Sequence, residues 1–248
     1  MSTLYWIQAG TRDIHFPDVN QALKDPDGLL AIGGDLSPQR LLTAYRSGIF
    51  PWYSHGQPIL WWSPDPRSVL YPDKIRISRS LKKTLRKKPF TITLNTAFAE
   101  VIRACANAPR EGQAGTWITE EMMEAYRELH RLGHAHSVEA WQDRKLVGGL
   151  YGVCIGQVFF GESMFSRVTD ASKVAFAEFV FFLQKLDFRL IDCQVRTQHL
   201  ESLGAQPMLR SSFIEALHAY CDHACALDVG PRVLVTEQDS SISSSIQG

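Results

Sequence analysis

The sequence predicts a mixed α/β (α+β) protein in which a small, loop-rich amino-terminal unit precedes a larger unit built around one sheet. Residues 48–67 hold three of the six tryptophans and four prolines. Because each internal proline removes an amide donor and clashes with the preceding turn, this stretch cannot form a long helix. It is instead predicted to be a rigid aromatic loop that either stacks on flat ligands or fills a domain interface. Beyond residue 90, helices and strands alternate, with three strands in immediate succession.

The amino-terminal unit, residues 1–70, contains one clear helix. Ser37 precedes Pro38, which places a capping residue before the proline preferred at the first helical position. The helix predicted over 39–47 ends at Gly48, because glycine readily adopts the left-handed conformation that closes a helix. Three prolines suggest a boundary close to residue 70: Pro64, Pro66 and Pro72.

In the larger unit, residues 71–236, hydrophobic periodicity predicts each element in turn. Alternation predicts strands over 90–94, 136–141, 146–154, 157–165, 189–195 and 232–236. Helical spacing predicts helices over 97–106, 120–132, 171–186 and 211–222, with Asp170 as the cap of the third. Residues 237–248, with five serines, are expected to be a disordered tail. This order of elements is that of the GNAT acyltransferase fold, an analogy for architecture and not for chemistry.

The bulk composition is that of a globular protein without a global charge bias. The chain has 248 residues, of which 45% are hydrophobic and 21% charged, and its formal net charge is zero. Affinity for nucleic acid must therefore come from a local patch. The five cysteines are odd in number and scattered, which favours reduced thiols in a cytoplasmic protein over a disulfide framework. With no signal-peptide pattern and no apolar run of about 18 residues, we expect no membrane segment.

A cluster of cations follows the predicted boundary. Residues 73–88 carry eight basic residues and one acid. Such runs are commonly a solvated helix face. In a chain of zero net charge, they also create a local positive field that attracts a phosphate backbone. The residues predicted to contact RNA are Lys74, Arg76, Arg79, Lys82, Lys83 and Arg86.

Polar side chains interrupt two otherwise apolar strands. Glu162 stands among aromatic residues, which favours a carboxylate that lines a cleft over an exposed strand-end acid. Asp192 and Gln194 stand two apart in the strand, so their side chains lie on one face of the sheet. Unless this is an edge strand, such polar groups must have hydrogen-bonding partners or a functional role. Ile191 has the opposite parity and shares their pocket only if the strand twists or bulges. The helix predicted to face them carries an apolar stripe: Phe176, Phe179, Val180 and Leu183. This stripe is expected to belong to the hydrophobic core, and part of it forms a pocket wall if the neighbouring strands separate.

The sequence predicts no metal site and no dinucleotide site. His134, His136 and the trio Cys221, His223 and Cys225 invite a zinc hypothesis, but they lack the second ligand pair of a zinc motif. The glycines at 33 and 34 indicate a loop turn, because the strand–loop–helix pattern of dinucleotide binding is missing there.

The chain resembles one enzyme family over roughly residues 16–205. Seven short motifs carry this resemblance: GLLAIGGDL (28–36), GIFPWY (48–53), LWWSPDPR (60–67), GTWIT (115–119), GHAHS (133–137), GESMFS (161–166) and IDCQ (191–194). In these motifs and their order the chain closely resembles the leucyl/phenylalanyl-tRNA–protein transferases, bacterial enzymes that add a bulky apolar residue to protein amino termini. Leu150 stands where the family often has methionine, a swap that roughly conserves volume. The resemblance implies a small amino-terminal domain packed on a GNAT-like domain with a mixed, splayed sheet.

The resemblance also implies the partners. The donor is an aminoacyl-tRNA carrying Leu or Phe, less well Met, and the acceptor is a protein beginning with Arg or Lys, which is thereby marked for N-degron degradation. A cytoplasmic monomer without cofactor, metal or acetyl-CoA is implied. The turn at 166–171 agrees, since it lacks the glycines with which acetyltransferases cradle a pyrophosphate. The alternatives are an acetyl-CoA-dependent N-acetyltransferase and a noncatalytic RNA-binding module.

The resemblance assigns roles to individual residues. Asp192 and Gln194 are the implied catalytic pair: the amide oxygen of Gln194 accepts a hydrogen bond from the attacking amine, and Asp192 holds that amide in place. Trp52 and Trp117 are placed near the terminal adenosine or the acceptor. Either Glu162 or Asp192 reads the cationic side chain of the acceptor. The implied aminoacyl pocket is formed by Leu150, Phe159, Glu162, Met164, Phe179, Leu183 and Ile191.

Overall fold

The computed structural model describes residues 4–108, 117–227 and 230–236, which form two sheets with helices on both sides of the larger one. The first sheet has the order β1-β2-β4-β3. Its elements, with the helix that they flank, are β1 (Tyr5–Ile7), β2 (Leu29–Gly33), α1 (Pro38–Arg46), β3 (Phe50–Pro51) and β4 (Leu60–Trp62). The expected mixed α/β class is confirmed.

Helix α1 begins and ends where the sequence predicts, but its cap differs. Ser37 occupies the N-cap position, yet its side chain makes no capping hydrogen bond. The Asp35 carboxylate instead accepts a hydrogen bond from the Ser37 amide at 2.9 Å. Gly48, with φ of 72°, follows the helix and turns the chain into β3. The proline and glycine signals therefore set the helix ends, and the serine hydroxyl is not needed.

The second sheet has eight strands in the order β11-β5-β10-β9-β8-β7-β6-β12. Its strands are β5 (Arg67–Leu70), β6 (Thr91–Leu94), β7 (Ala135–Gln142), β8 (Lys145–Ile155), β9 (Val158–Ser166), β10 (Leu190–Gln194), β11 (Gln206–Met208) and β12 (Arg232–Val235). Its helices are α2 (Arg79–Lys87), α3 (Phe98–Ala106), α4 (Glu120–Arg131), α5 (Ala171–Lys185), α6 (Gln198–Ser202) and α7 (Arg210–Tyr220). All the elements predicted beyond residue 90 are present, whereas the short elements β11 and α6 carry too few residues to show a period. The chain passes from the first sheet to the second between Trp62 and Arg67, before the boundary predicted near residue 70.

Local turn chemistry builds the central hairpins. Asp143 and Arg144 both have positive φ, as a two-residue turn between antiparallel strands requires. Gly156 closes the β8–β9 hairpin with φ of 58°, and a Cβ there would lie 2.2 Å from the Tyr220 carbonyl oxygen. Only glycine fits that turn, because the backbone of α7 passes directly over it.

Strands β9 and β10 run parallel and then part. Their pairing ends at Phe160 and Asp192, while β9 continues to Ser166 along β8. On its other side β10 pairs antiparallel with β5, and the register shifts between Asp192 and Gln194. Because β10 lies inside the sheet, the edge-strand interpretation of its polar residues is wrong. The parting of the two strands opens the sheet at its centre.

The predicted state of the cysteines is wrong at two positions. Cys154 at the end of β8 forms a disulfide with Cys225, which lies 71 residues further along the chain. The segment after α7 returns to β8, and no spacing in the sequence reveals that approach. The other three cysteines are buried and take no part in a disulfide: Cys105, Cys193 and Cys221.

Two further expectations concern the membrane and the tail. A bilayer-spanning helix is not found among the described elements, since each is too short or too polar. The tail predicted to be disordered, residues 237–248, lies outside the described residues.

Candidate active site

A cavity of about 310 Å³ opens where β9 and β10 part. Ten of the residues singled out in the sequence line it: Trp52, Trp117, Leu150, Phe159, Glu162, Met164, Phe176, Ile191, Asp192 and Gln194. Apolar side chains form most of the wall, with a few polar groups at one side, which is the usual make-up of a small-molecule site. The structure thus gathers residues from β8, β9, β10 and two loops around one space.

The irregularity in β10 decides which of its side chains reach the cavity. Gln194 has φ of 59°, and the pairing with β5 shifts register between Asp192 and Gln194. Ile191, which has the opposite parity, also lines the cavity. The condition stated from the sequence, that the strand must twist or bulge, is met.

Phe179 and Leu183 do not line the cavity, which corrects their predicted place on its wall. Both are fully buried in α5. The ring of Phe179 packs edge-on against that of Phe159, 4.8 Å away, and so lies one layer behind it. Phe176 is the member of the same helical stripe that lines the cavity. Helical periodicity identifies the buried face of α5, but it does not show which residues of that face line the cavity and which pack behind them.

Asp192 is bound by a residue that the sequence analysis did not select. Arg67 Nε and Nη2 donate to Asp192 Oδ1 and Oδ2 at 2.8 and 2.7 Å, and both side chains are almost fully buried. Asp192 Oδ1 also accepts a hydrogen bond from the backbone amide of Gln194 at 2.8 Å. Asp192 therefore holds the backbone of Gln194 and not its side-chain amide, contrary to the role implied by the resemblance. A buried acid in a central strand requires a cation, but nothing in the sequence shows which one.

The guanidinium of Arg67 is enclosed on both faces. Its Cζ lies 4.5 Å from the ring centroid of Phe50 and 4.9 Å from that of Phe213, and Nη1 donates to the carbonyl of Gly48 at 3.2 Å. Stacking between two rings and a two-point contact with a carboxylate fix the plane of an arginine. Arg67 thereby connects the aromatic loop of the amino-terminal unit to Asp192.

Glu162 holds the side chain of Gln194. Gln194 Nε2 donates to Glu162 Oε1 at 2.7 Å, and the same carboxylate accepts hydrogen bonds from the hydroxyls of Tyr45 at 2.6 Å and Tyr126 at 2.9 Å. The two tyrosine oxygens also lie within hydrogen-bonding distance of each other. Because each hydroxyl carries one proton, a tyrosine that donates to the other tyrosine does not donate to Glu162 at the same time. Burial raises the pKa of the Glu162 carboxyl to about 7 and raises the pKa of both tyrosines well above the usual value, so they stay protonated donors. No spacing in the sequence joins these tyrosines, which lie on α1 and α4.

The aromatic loop contains both a buried ring and an accessible one. Trp61 is fully buried and donates from Nε1 to the carbonyl of Gly33 at 2.8 Å, so it fills the interior. Trp52 lines the cavity and is 36% exposed. Its ring lies 5.8 Å from that of Trp62, which donates from Nε1 to the Trp52 carbonyl at 2.7 Å. Trp52 is therefore an accessible ring of the cavity wall that is fixed by its contacts with Trp62, and Trp117 lines the same cavity.

Comparison with known proteins identifies the family of the chain. The description "Leucyl/phenylalanyl-tRNA protein transferase" belongs to the family model that matches residues 69–218, and the model of the family's N-terminal domain matches residues 34–65. The chain belongs to this family. It is therefore a transferase, and the resemblance stated from the sequence is confirmed.

The similarity to relatives extends over nearly the whole chain. A leucyl/phenylalanyl-tRNA–protein transferase of Stutzerimonas stutzeri is 56% identical over 91% of this chain and 98% of its own length. One from Aromatoleum aromaticum is 61% identical over 86% of this chain and 88% of its own length. Among solved structures, a GCN5-related N-acetyltransferase from Kribbella flavida is 14% identical, with a TM-score of 0.34, over 69% of this chain and 61% of that one.

Four of the six cations predicted to contact RNA lie on one helix of the transferase: Arg79, Lys82, Lys83 and Arg86. Ser78 caps α2, whose only buried residue is Leu81. The cations of α2 surround a second, open depression: Arg79, Lys82, Lys83, Arg86 and Lys87. Lys74 lies apart from them, with its Nζ 4.6 Å from the ring of Tyr71. The helix thus presents a concentrated positive face to solvent.

An acid occupies the amino-terminal end of α5. Asp170 has φ of 65° and makes no capping hydrogen bond with its side chain, contrary to the predicted cap. Its carboxylate instead accepts a hydrogen bond from the Thr84 hydroxyl at 3.2 Å and lies 3.6 Å from Lys173 Nζ. A carboxylate at this position uses the positive end of the helix that would otherwise favour a phosphate.

Proposed function

We propose that this transferase moves Leu or Phe, and less well Met, from aminoacyl-tRNA to the α-amino group of proteins that begin with Arg or Lys. The observation that carries the proposal is the apolar cavity whose polar side holds Gln194 on Glu162. The relatives' names supply the donor class, and the product would be a protein marked for N-degron degradation. We propose that the enzyme acts in the cytoplasm as a monomer, without metal or cofactor.

The cavity would take the side chain of the donor. Its wall is formed by apolar side chains from β8, β9, β10 and α5: Leu150, Phe159, Met164, Phe176 and Ile191. Each methylene that fills such a pocket discriminates between donor side chains by about 1–3 kcal/mol. An unbranched apolar residue such as Met is therefore expected to be transferred as well, at a lower rate. Trp52 and Trp117, at the same cavity, would stack on the terminal adenosine, which contributes about 1–3 kcal/mol per base.

Chemistry at this site requires positioning more than base strength. The donor is an activated ester, and the α-amine of the acceptor has a pKa of about 7.7–8.0, so a useful neutral fraction exists at neutral pH. Gln194 Nε2 is engaged by Glu162, and its Oε1 accepts no hydrogen bond from the described residues. That oxygen would accept a hydrogen bond from the attacking amine. The ribose hydroxyl beside the ester would relay a proton to the leaving group.

Glu162 is the acid that we assign to the cationic acceptor. The charge of Asp192 is compensated at close range by Arg67. Glu162 accepts hydrogen bonds only from neutral groups among the described residues: Tyr45, Tyr126 and Gln194. Its negative charge is therefore available to attract an amine into the cavity.

Transfer should depend on the ionisation of Glu162. Because the pKa of this carboxyl is raised to about 7, it is neutral below and charged above that pH, and kcat/KM should rise as pH increases through about 7. Glu162→Gln should remove this step and lower kcat/KM at high pH, where the wild-type carboxylate is charged. The pH profile of kcat/KM for a peptide acceptor tests this. An identical rise near pH 7 in Glu162→Gln would assign the titration to another group.

Residue Phe176 should control the choice of donor. Phe176→Ala enlarges the cavity, and we expect the ratio of kcat/KM for a Trp donor over a Leu donor to rise by about tenfold. Phe179→Ala is the matched control, since it truncates the layer behind and should cost about 3–5 kcal/mol of stability without that change in ratio. Donor ratios measured in parallel with urea unfolding separate the two effects. If Phe179→Ala alters the ratio more than Phe176→Ala, the assignment of the wall is reversed.

The positive face of α2 should bind the tRNA backbone. Reversing Lys82, Lys83 and Arg86 to glutamate should weaken donor binding and flatten the plot of log Kd against log salt by roughly 2 units of slope. The control reverses two exposed cations, Arg144 in the β7–β8 turn and Lys145 at the start of β8. Filter binding of aminoacyl-tRNA over a salt series measures both. An unchanged slope in the α2 variant would remove this face from the RNA interface.

The decisive experiment mixes the purified protein with radiolabelled Leu-tRNA and a peptide that begins with Arg. Label should enter the peptide, and an otherwise identical peptide that begins with Glu should stay unlabelled. In a parallel arm, acetyl-CoA replaces the tRNA. Acetylation in that arm without transfer in the first would establish the acetyltransferase alternative, and binding of tRNA without either product would establish the RNA-binding module.

A further inference from the structure

Three side chains with no part in the transfer reaction meet beside the end of β8. The sulfur atoms of Cys154 and Cys225 and a ring nitrogen of His136 all lie within 4.8 Å of one another. The two sulfur atoms are joined as a disulfide. His136 comes from β7, Cys154 from β8, and Cys225 from the segment after α7. This trio is not one that the sequence analysis considered, because its members are distant in the chain.

The two cysteines of the disulfide differ in their exposure to solvent. Cys154 is 1% exposed, whereas Cys225 is only partly buried. Exchange proceeds by attack of a thiolate on one sulfur of the disulfide, and it expels the other sulfur as a thiolate. A small thiol can reach Cys225, so Cys154 is the leaving group.

His136 is placed to stabilise that leaving group. The amide Nδ2 of Asn95 lies 3.1 Å from His136 Nδ1, and Asn95 Oδ1 accepts from the Ser137 amide, so Nδ1 accepts and the ring proton is on Nε2. By distance and angle Nε2 has no hydrogen-bond partner among the described residues, although the backbone of Gly133 is close enough to act on the ring, and His136 is 3% exposed. Burial lowers the pKa of His136 to about 4, so the ring is neutral at neutral pH. An unpaired buried N–H gains a partner when a thiolate forms beside it.

The other thiols of the chain are poor competitors. Cys105, Cys193 and Cys221 are buried. Burial raises the pKa of Cys221 to about 12 and raises that of Cys193 further. Since the thiolate is the reactive form, these groups exchange little at neutral pH.

We propose that Cys154 and Cys225 form a thiol–disulfide exchange site that reacts with low-molecular-weight thiols and disulfides. A thiolate attacks Cys225 Sγ, the protein S–S bond breaks, and Cys154 leaves as a thiolate that accepts the His136 N–H. A second thiolate attacks the mixed disulfide, releases Cys225 and forms the small disulfide. Two thiols are thereby oxidised to one disulfide, and their two protons and two electrons convert the protein disulfide to two thiols.

The exchange site is connected to the cavity through the sheet. Cys154 pairs with Phe159 across β8 and β9, and Phe159 lines the cavity. Opening the bond frees one end of β8 behind that ring, so the KM for aminoacyl-tRNA should change. This part rests on the proposed use of the cavity for the donor side chain.

A glutathione titration tests the exchange without using the transfer reaction. The native protein is equilibrated at several ratios of reduced to oxidised glutathione, alkylated and mapped by peptide mass. Cys154 and Cys225 should become alkylated together in reduced glutathione and should be protected again in oxidised glutathione, with the other three thiols unlabelled throughout. A pair that stays oxidised in excess reduced glutathione would overturn the proposal. So would stoichiometric zinc retained by the reduced protein, which would show a metal site.

Variants test the roles of His136 and of the link to the cavity. His136→Leu should slow reduction by about tenfold, the effect of losing one hydrogen bond to a charged group, and an unchanged rate would overturn the role of His136. Cys225→Ser should reproduce the KM of the reduced enzyme, with Cys105→Ser as the matched control. Equal KM values for oxidised enzyme and Cys225→Ser would overturn the link to the cavity, while the titration would still report on the exchange.

Discussion

Replacing Arg67 with methionine is expected to lower the free energy of unfolding by about 3–5 kcal/mol and to abolish transfer. The substitution leaves Asp192 buried without its cation, in a strand where both carboxylate oxygens are engaged by the guanidinium. The carboxylate must then ionise at a large cost or take up a proton. Either outcome disturbs the backbone amide of Gln194, which Asp192 holds. Chemical denaturation and single-turnover transfer measure the two losses.

Two further variants separate stability from positioning. Arg40 is equally buried and pairs with Asp35, away from the cavity, so Arg40→Met should lower stability while kcat is kept at temperatures where the variant is folded. The double variant Arg67→Met with Asp192→Leu replaces the ion pair by apolar side chains and should recover stability without recovering kcat. Full activity in that double variant would show that the pair serves only the fold.

Gln194→Ala is expected to lower kcat by at least about 100-fold, the contribution typical of a group that handles the proton of the nucleophile. The variant removes the oxygen that would accept a hydrogen bond from the amine, while the apolar wall and the α2 face remain. Donor affinity should therefore change little. Single-turnover rates at saturating donor, together with the Kd for aminoacyl-tRNA, distinguish chemistry from binding.

A nearby glutamine provides the control for this variant. Gln198 begins α6, is exposed and does not line the cavity, so Gln198→Ala should leave both kcat and Kd unchanged. Equal losses of kcat and donor affinity in Gln194→Ala would place Gln194 in donor binding. If neither kcat nor donor affinity falls in Gln194→Ala, Gln194 has no role in the transfer reaction.

The regular elements of the larger unit follow from local sequence. The β7–β8–β9 meander was predictable because alternation and the turn at Asp143 and Arg144 act over a few residues. Helices α4 and α5 were predictable because their apolar spacing repeats over three turns or more. The strands of the first sheet were not, since they are two to five residues long and carry no period.

About half of the residues that line the cavity were singled out from the sequence, but their mutual contacts were not predictable. Motifs pointed to Glu162, Asp192 and Gln194 because polar groups inside apolar strands require a use. The partners of these groups come from distant segments: Arg67 from β5, Tyr45 from α1 and Tyr126 from α4. Which of Phe176 and Phe179 faces the cavity depends on the rotation of α5 against the sheet, which periodicity leaves open.

By itself the sequence determined the α/β class, the family and three polar residues of the site, Glu162, Asp192 and Gln194, because these depend on local periodicity and on short motifs. Only the tertiary structure decided that Asp192 is paired with Arg67, that Glu162 holds Gln194, and that Cys154 meets Cys225. The physical reason is the same in each case. The partner of a buried charge, amide or thiol is supplied by the packing of segments that lie far apart in the chain. A local sequence pattern does not indicate which distant segment that is.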